Sequence, residues 1–238
     1  DLIFYDTTSV SFAIDYEDSD DDNSELENLR MRGYGKEGTW TPQVIVALAV
    51  TREGIPVRSW VFPGNTTDVT TVKKIKADLK GWKLGRALFI ADSGMNSEDN
   101  REELSKACGK YLLATRVGSV KEIREEVISH PGRFHKISEN LHVKEVSVGD
   151  GVRSRRYILC FNPQQAKRER EHRLQVISEI EQELNSHTDH NATAKWAIEL
   201  LASGRTKRYL KINESNQIQI DRDKIKRAEK LDGKWVLI

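Results

Sequence analysis

Two aspartates each follow a short apolar stretch that is typical of a buried strand. Asp6 follows residues 2–5, and Asp92 follows residues 87–91. A parallel or mixed sheet gathers residues at the carboxyl ends of its strands, which is where α/β folds place their chemistry. A carboxylate that ends a buried strand loses hydration, and a divalent cation is the strongest compensation for that loss. If the two strands are neighbours, Asp6 and Asp92 form the beginning of a Mg²⁺ site.

The order of the predicted elements places these acids on strands that can be neighbours. Strands are predicted over residues 2–14, 43–50, 55–62, 86–92 and 110–117, with helices from about 67 to 80 and 97 to 108. This order, β-β-β-α-β-α-β, matches the ribonuclease H-like topology, in which the first and fourth strands lie side by side. The predicted fold class is therefore α/β, a ribonuclease H-like mixed sheet flanked by helices.

The later part of the chain departs from this pattern. Residues 1–117 are predicted as the first part of the core, residues 118–231 as an insertion subdomain of mixed strand and helix, and residues 232–238 as a strand returning to the core. A long helix is predicted from Pro163 to about Asn185. Because a chain of 238 residues can form a sizeable core and one further subdomain, its length agrees with this division.

Composition narrows the class of protein. Charged residues make up 32% of the chain and hydrophobic residues 37%, which is typical of a soluble protein with a charged surface. No apolar run approaches the length of a membrane span. Cys108 and Cys160 are the only cysteines, so a disulfide framework or a zinc ribbon is not expected. This composition agrees with a reducing cytoplasm.

Positive charge is concentrated in the second part of the chain. Residues 151–238 hold 18 Lys and Arg against 12 Asp and Glu, a surplus of six. Such asymmetry favours a polyanionic partner, and a solvated helical surface explains it about equally well. The candidate phosphate contacts are Lys167, Arg168, Arg170, Arg173, Arg205, Lys207, Arg208 and Lys211.

Several segments together resemble bacterial insertion-sequence transposases of the DDE class. The similar segments are Phe4–Thr8, Gly33–Lys36, Thr41–Val44, Gly54–Val57, Phe62–Asp68, Ala91–Met95, Arg156–Pro163 and Asp232–Gly233. The similarity is to the subgroup that has an insertion between the second Asp and the final Glu. That subgroup carries a Tyr-Arg-Glu-Lys signature around the Glu.

The resemblance implies roles for the two acids. Asp6 matches the first catalytic acid and Asp92 the second, with two Mg²⁺ ions, or Mn²⁺ in their place, held between them and the final Glu. That Glu is expected on a helix beyond Ile238, so strand cleavage by this chain alone should be negligible. The implied partners are double-stranded DNA and a second copy of the protein in a synaptic homodimer, with no membrane, in the bacterial cytoplasm at the nucleoid.

Two other functions remain open from the residues alone. A structure-selective nuclease such as a junction resolvase shares the predicted fold, although its core lacks a basic insertion. A DNA-binding or assembly module from an inactivated element needs no catalysis, although Asp6 and Asp92 both remain acidic.

Other conspicuous residues have ordinary interpretations. The acidic run 18–23 fails the EF-hand pattern, and Gly33–Gly38 is interpreted as a turn. A zinc site at His187, Asp189 and His190 is not favoured, because no further ligand completes it. Trp196 is interpreted as a helix-packing residue rather than a base-stacking one. Asn65 and Asp68 are interpreted as turn and cap residues.

Overall fold

The structure is a computed structural model that describes residues 2–18, 28–35, 38–84, 87–106, 109–118, 120–151, 154–187 and 190–238. The chain forms two units, one of residues 1–115 with 237–238 and one of residues 116–236. The interpretation of the acidic run after Asp18 and that of Cys108 lie outside the described residues.

The first unit contains a sheet and two helices within the described ranges. Its strands are β1 (Leu2–Ser11), β2 (Met31–Tyr34), β3 (Trp40–Val50), β4 (Pro56–Pro63), β5 (Leu88–Ala91) and β6 (Lys110–Thr115). Its helices are α1 (Asp68–Gly81) and α2 (Glu98–Ser105). Leu113 of β6 exchanges backbone hydrogen bonds of 2.8 and 2.9 Å with Ile238.

The strand order is β4-β3-β1-β5-β6, which confirms the predicted ribonuclease H-like class. The first strand pairs antiparallel with β3 and parallel with β5, and β5 pairs parallel with β6. The sheet is therefore mixed, and β1 lies at its centre. Because the register pairs Phe4 with Ile90, the carboxyl end of β5 lies beside the middle of β1.

The second strand, β2, corrects the prediction that Gly33–Gly38 form a turn. Gly33 and Tyr34 lie in β2, which pairs with residues 40–43 of β3, whereas β4 pairs with residues 44–50 along the same edge. Beyond β2, the Gly38 N–H donates to the Gly35 carbonyl at 3.0 Å. A Cβ at Gly33 would lie 2.1 Å from the Gly64 carbonyl oxygen, so a close backbone contact explains this glycine.

Both helices pack on one face of this sheet. The Tyr5 hydroxyl donates to Thr71 of α1 at 2.8 Å, and its ring packs 5.4 Å from Phe89 of β5. The opposite face retains exposed apolar side chains, among them Phe4 at 38% and Leu48 at 41%. Within the first unit, no described helix packs on that opposite face.

The second unit is an α+β arrangement. Its strands are β7 (His135–Ser138), β8 (Leu141–Val148), β9 (Arg155–Phe161), β10 (Leu210–Ile212), β11 (Ile218–Ile220) and β12 (Lys234–Leu237), the last of which ends beyond the unit. Its helices are α3 (Pro163–Ser186), α4 (Lys195–Ala202), α5 (Gly204–Lys207) and α6 (Arg222–Glu229), and a π-helical turn spans Ile123–Val127. Strands β7, β8 and β9 form antiparallel pairs.

The helical core of the second unit explains where α3 lies. Val176, Ile177 and Ile180 of α3 are buried in one cluster with Leu210, Ile218 and Ile225.

No described helix combines the length and the apolar composition that a membrane-spanning segment requires. The assignment of the two units as catalytic core and insertion stays a prediction.

Candidate active site

The pairing of β1 with β5 brings the two predicted acids level with each other. The register matches Phe4 with Ile90, and Asp6 and Asp92 each lie two residues further along. Both side chains are exposed. Because side chains alternate along a strand, Asp6 points away from the face on which Tyr5 contacts α1. The prediction that the two strands are neighbours is confirmed.

Each acid is held by a backbone N–H close to it in the chain. The Thr7 N–H donates to Asp6 Oδ1 at 2.8 Å. The Gly94 N–H donates to Asp92 Oδ1 at 2.8 Å, so Asp92 caps the short 3₁₀ turn Ser93–Met95. These bonds orient the Asp6 carboxylate in the middle of β1 and the Asp92 carboxylate just beyond the end of β5.

Asp68 is a third acid at this edge of the sheet. It is the first residue of α1, and the Thr7 hydroxyl donates to its Oδ1 at 2.6 Å. A Cβ at Gly94 would lie 3.1 Å from both Asp68 Oδ2 and Asp92 Oδ1, so those two oxygens are at most twice that distance apart. Asp68 therefore bonds β1 and lies near the turn that follows β5.

The sequence interpretation of Asp68 as a cap residue missed this role. Its carboxylate bonds a residue 61 positions away in the chain. The available signal was an acid at the start of the helix that directly follows a strand, since helix starts in α/β folds lie at the same edge as the strand ends.

The turn after Asp92 is fixed by a buried asparagine. Asn100 of α2 is 3% exposed, and its Nδ2 donates to the carbonyls of Met95 at 2.9 Å and Val69 at 2.8 Å. Ser97 caps α2 as predicted, accepting from the Asn100 N–H at 3.1 Å. One side chain thus ties the Asp92 turn to the starts of both helices.

Tyr5 lies under the site but does not act as a base. Burial raises the pKa of its hydroxyl well above the usual value, and the charges of Asp68 and Asp6 raise it further, while the bond to Thr71 opposes them. The hydroxyl therefore stays protonated at neutral pH and serves as a structural donor.

The donor set suits a hard divalent cation. Asp6 and Asp92 supply carboxylate oxygens, and Mg²⁺ is commonly held by one or two carboxylates with water and substrate phosphates as the other ligands. Within the described ranges, no group of three His, Cys, Asp or Glu side chains is arranged to hold a metal ion. Two carboxylates fit such an ion when water and substrate supply its other ligands.

Comparison with known sequences decides the family. The profile of the transposase DDE domain matches residues 9–218, most of the chain. The chain belongs to the transposase DDE domain family. Asp92 lies within the matched residues, and Asp6 lies three positions before them.

Comparisons with curated proteins and solved structures add little to this result. No curated protein matches the chain. Among solved structures, it is similar to a cryo-EM structure of the piggyBac transposase synaptic complex with hairpin DNA, at 13% identity and a TM-score of 0.38. The match covers 68% of this chain and 30% of that one. A TM-score this low does not establish a shared fold.

The basic residues of this transposase domain are not equivalent. Lys167, Arg168 and Arg170 are exposed on the first turns of α3. Arg173, also predicted as a DNA contact, is 3% exposed, and its Nη1 lies 2.5 Å from Asp232 Oδ1. That prediction is corrected, because a buried, ion-paired guanidinium does not reach a phosphate.

The second basic cluster of the transposase domain is exposed. Arg205, Lys207 and Arg208 lie in or next to α5, and Lys211 lies in β10. Arg205 pairs with Glu179 of α3. The three other side chains have no ion pair among the described residues, so their charges face solvent.

Trp196 packs inside its own unit. The His187 ring stacks on it at 4.3 Å with an interplanar angle of 14°, and His190 approaches its edge at 6.3 Å. This contact supports the packing interpretation. Asp189, the third residue of the disfavoured zinc site, lies outside the described residues.

Proposed function

We propose that this chain is the catalytic core of a DNA transposase that cleaves phosphodiester bonds at transposon ends and transfers the freed 3′-hydroxyl to target DNA. One observation carries the proposal: in a chain of the transposase DDE domain family, Asp6 and Asp92 are level on parallel neighbouring strands. The family match favours transposition over the structure-selective nuclease.

The residues around the two acids orient them. Asp6 and Asp92 hold the divalent ions, and the N–H groups of Thr7 and Gly94 fix one oxygen of each carboxylate. Asp68 keeps Thr7 in place through its 2.6 Å bond. When bound, two Mg²⁺ or Mn²⁺ ions supply activation of the nucleophile and stabilisation of the leaving oxygen.

The exposed basic residues suggest the partner. Double-stranded DNA, as transposon end and as target, is the polyanion that suits the surplus of positive charge in residues 151–238. The proposed working form is a homodimer in a synaptic complex, and the proposed location is the bacterial cytoplasm at the nucleoid.

The test is cleavage of DNA that carries the ends of the element. The protein, expressed at its full natural length, should release a 3′-hydroxyl at the element boundary with Mg²⁺ or Mn²⁺, and should join it to a second DNA. Cleavage without joining would favour the nuclease. Binding without cleavage under any divalent ion would favour the non-catalytic DNA-binding module.

The basic cluster makes a separate prediction about salt. Replacing Arg205, Lys207 and Arg208 together by Ala should flatten the dependence of log Kd on log salt by up to about 2.7, because each phosphate contact contributes about 0.9. Fluorescence anisotropy measures the change, with duplex DNA titrated at salt concentrations from roughly 50 to 300 mM.

A matched control for the salt prediction lies in the same unit. Lys121, Arg124 and Lys136 are also exposed, and their replacement removes the same charge outside the predicted cluster. Equal flattening by both sets would show a general charge effect rather than a DNA contact at α5.

A further inference from the structure

Asp68 is linked to the first predicted acid through Thr7. The Thr7 hydroxyl donates to Asp68 Oδ1 at 2.6 Å, and the Thr7 N–H donates to Asp6 Oδ1 at 2.8 Å. One residue therefore bonds two carboxylates, one through its side chain and the other through its backbone. Because Thr7 is 5% exposed, its bond to Asp68 is largely shielded from water, which makes the bond stronger.

Asp68 also lies beside the second predicted acid. A Cβ at Gly94 would be 3.1 Å from Asp68 Oδ2 and 3.1 Å from Asp92 Oδ1. The Gly94 N–H donates to that same oxygen of Asp92 at 2.8 Å. A side chain at position 94 would press against both carboxylates, so Asp68 is a close neighbour of the turn that orients Asp92.

The charges of these three carboxylates are not balanced by neighbouring cations. Among the described residues, the ion pairs of the first unit involve none of Asp6, Asp68 and Asp92. Carboxylates close to one another repel, and a cation between them relieves the repulsion. Asp68 therefore adds to the negative charge that attracts a divalent ion to this part of the sheet.

Asp68 does not complete a set of three ligands for one ion. Within the described ranges, no three His, Cys, Asp or Glu side chains are arranged around a common point where a metal ion would fit. One oxygen of Asp68 is already engaged by the Thr7 hydroxyl. Its effect on a bound ion is therefore expected through its charge and through the residues it holds, rather than through coordination.

We infer that Asp68 is a positioning residue of the proposed metal site, where its charge strengthens ion binding and its bond to Thr7 keeps Asp6 in place. The inference rests on the proposed function for the ions and adds to it a residue outside the pair of acids. The two contributions are separable. Asn at position 68 keeps an oxygen that accepts from Thr7 but carries no charge, whereas Val at position 7 removes the hydroxyl and leaves Asp68 charged.

The first test measures ion affinity without cleavage. The protein at its full natural length is titrated with Mn²⁺, and the electron paramagnetic resonance signal of free Mn²⁺ gives the dissociation constant. Asp68→Asn should weaken binding about three- to tenfold, which is the Coulomb effect of one nearby charge on a divalent ion in a water-exposed site.

Glu53→Gln is the matched control for this affinity, because it removes one negative charge from the turn between β3 and β4. It should bind Mn²⁺ as tightly as the wild type. Equal affinities of the Asp68→Asn and Glu53→Gln variants would overturn the inference. A loss in Asp68→Asn as large as that in Asp92→Asn would also overturn it, because Asp68 would then be a ligand.

The second test measures the cleavage rate at saturating Mn²⁺. Thr7→Val should lower this rate about ten- to 100-fold, because small displacements of catalytic groups are costly. Thr7→Ser, which restores the hydroxyl, should recover most of the loss. Raising Mn²⁺ should recover most of the rate of Asp68→Asn but not that of Thr7→Val. Cleavage by Thr7→Val at the wild-type rate would overturn the inference, and if Thr7→Val does not fold, the Mn²⁺ affinity of Asp68→Asn decides it.

Failure of this inference and failure of the proposed function are distinguishable. Weaker Mn²⁺ binding by Asp68→Asn than by Glu53→Gln, in a protein that cleaves no DNA with any divalent ion, supports the inference and refutes the transposase activity. Metal-dependent cleavage by the wild type, with equal Mn²⁺ binding by the two variants, supports the activity and refutes the inference.

Discussion

Replacing Asp6 or Asp92 by Asn should lower metal-dependent DNA cleavage by about a thousand-fold or more. In the proposed function each carboxylate holds ions that contribute several kcal/mol to stabilising the transition state, and each 1.36 kcal/mol is a tenfold change in rate. Asn keeps the size of the side chain but loses its charge. Single-turnover cleavage of end-labelled DNA by the protein at its full natural length measures the effect.

Glu53→Gln provides the control for Asp6 and Asp92. Glu53 is an exposed acid in the turn between β3 and β4, so the variant removes one negative charge from the same unit. Its cleavage rate should equal that of the wild type. Asp6→Asn should bind DNA as well as the wild type or slightly better, because a charge that repels phosphate is gone. Cleavage by either Asn variant within tenfold of the wild-type rate would refute the assigned role.

Replacing Arg173 by Ala should destabilise the second unit by about 3 kcal/mol. Its guanidinium is almost fully buried, and it bonds Asp232 and lies 3.8 Å from Glu229. Removing one partner of a buried pair leaves the other charge uncompensated, which typically costs about 3–5 kcal/mol. Asp232 is 16% exposed, so the lower end of that range applies. Urea unfolding followed by circular dichroism measures the loss.

Arg170 gives the matched control for Arg173, because it lies on the same helix and is exposed. Arg170→Ala should change the free energy of unfolding by no more than about 0.5 kcal/mol. Folded Arg173→Ala should bind DNA with the same salt dependence as the wild type. A flatter salt dependence without loss of stability would mean that Arg173 contacts phosphate after all.

The position of Asp6 and Asp92 on neighbouring strands was predictable, because it depends on strand order. Short apolar runs identified β1 and β5, and the order of elements made them neighbours. Asp68 was not predictable in the same way, because its partner Thr7 and its neighbour Gly94 are distant in the chain and lie on other elements. From the local sequence, only the position of Asp68 at the start of a helix could be predicted.

The two corrected predictions have a common physical cause. The glycines near residue 33 suggest a turn, yet Gly33 lies in β2, with the Gly64 backbone close against it. An arginine is expected at the surface, yet Arg173 lies at helical spacing from Val176, Ile177 and Ile180, on the buried side of α3. In both cases tertiary contacts override the usual preference of the residue type.

The most direct test of a metal site at Asp6 and Asp92 replaces one non-bridging oxygen of the scissile phosphate by sulfur. Sulfur binds hard Mg²⁺ poorly and the softer Mn²⁺ better. The account predicts that wild-type protein cleaves the substituted DNA poorly in Mg²⁺ and regains cleavage in Mn²⁺, whereas Asp6→Asn and Asp92→Asn do not. Equal cleavage of both DNAs in Mg²⁺, or full recovery of the Asn variants in Mn²⁺, would contradict it.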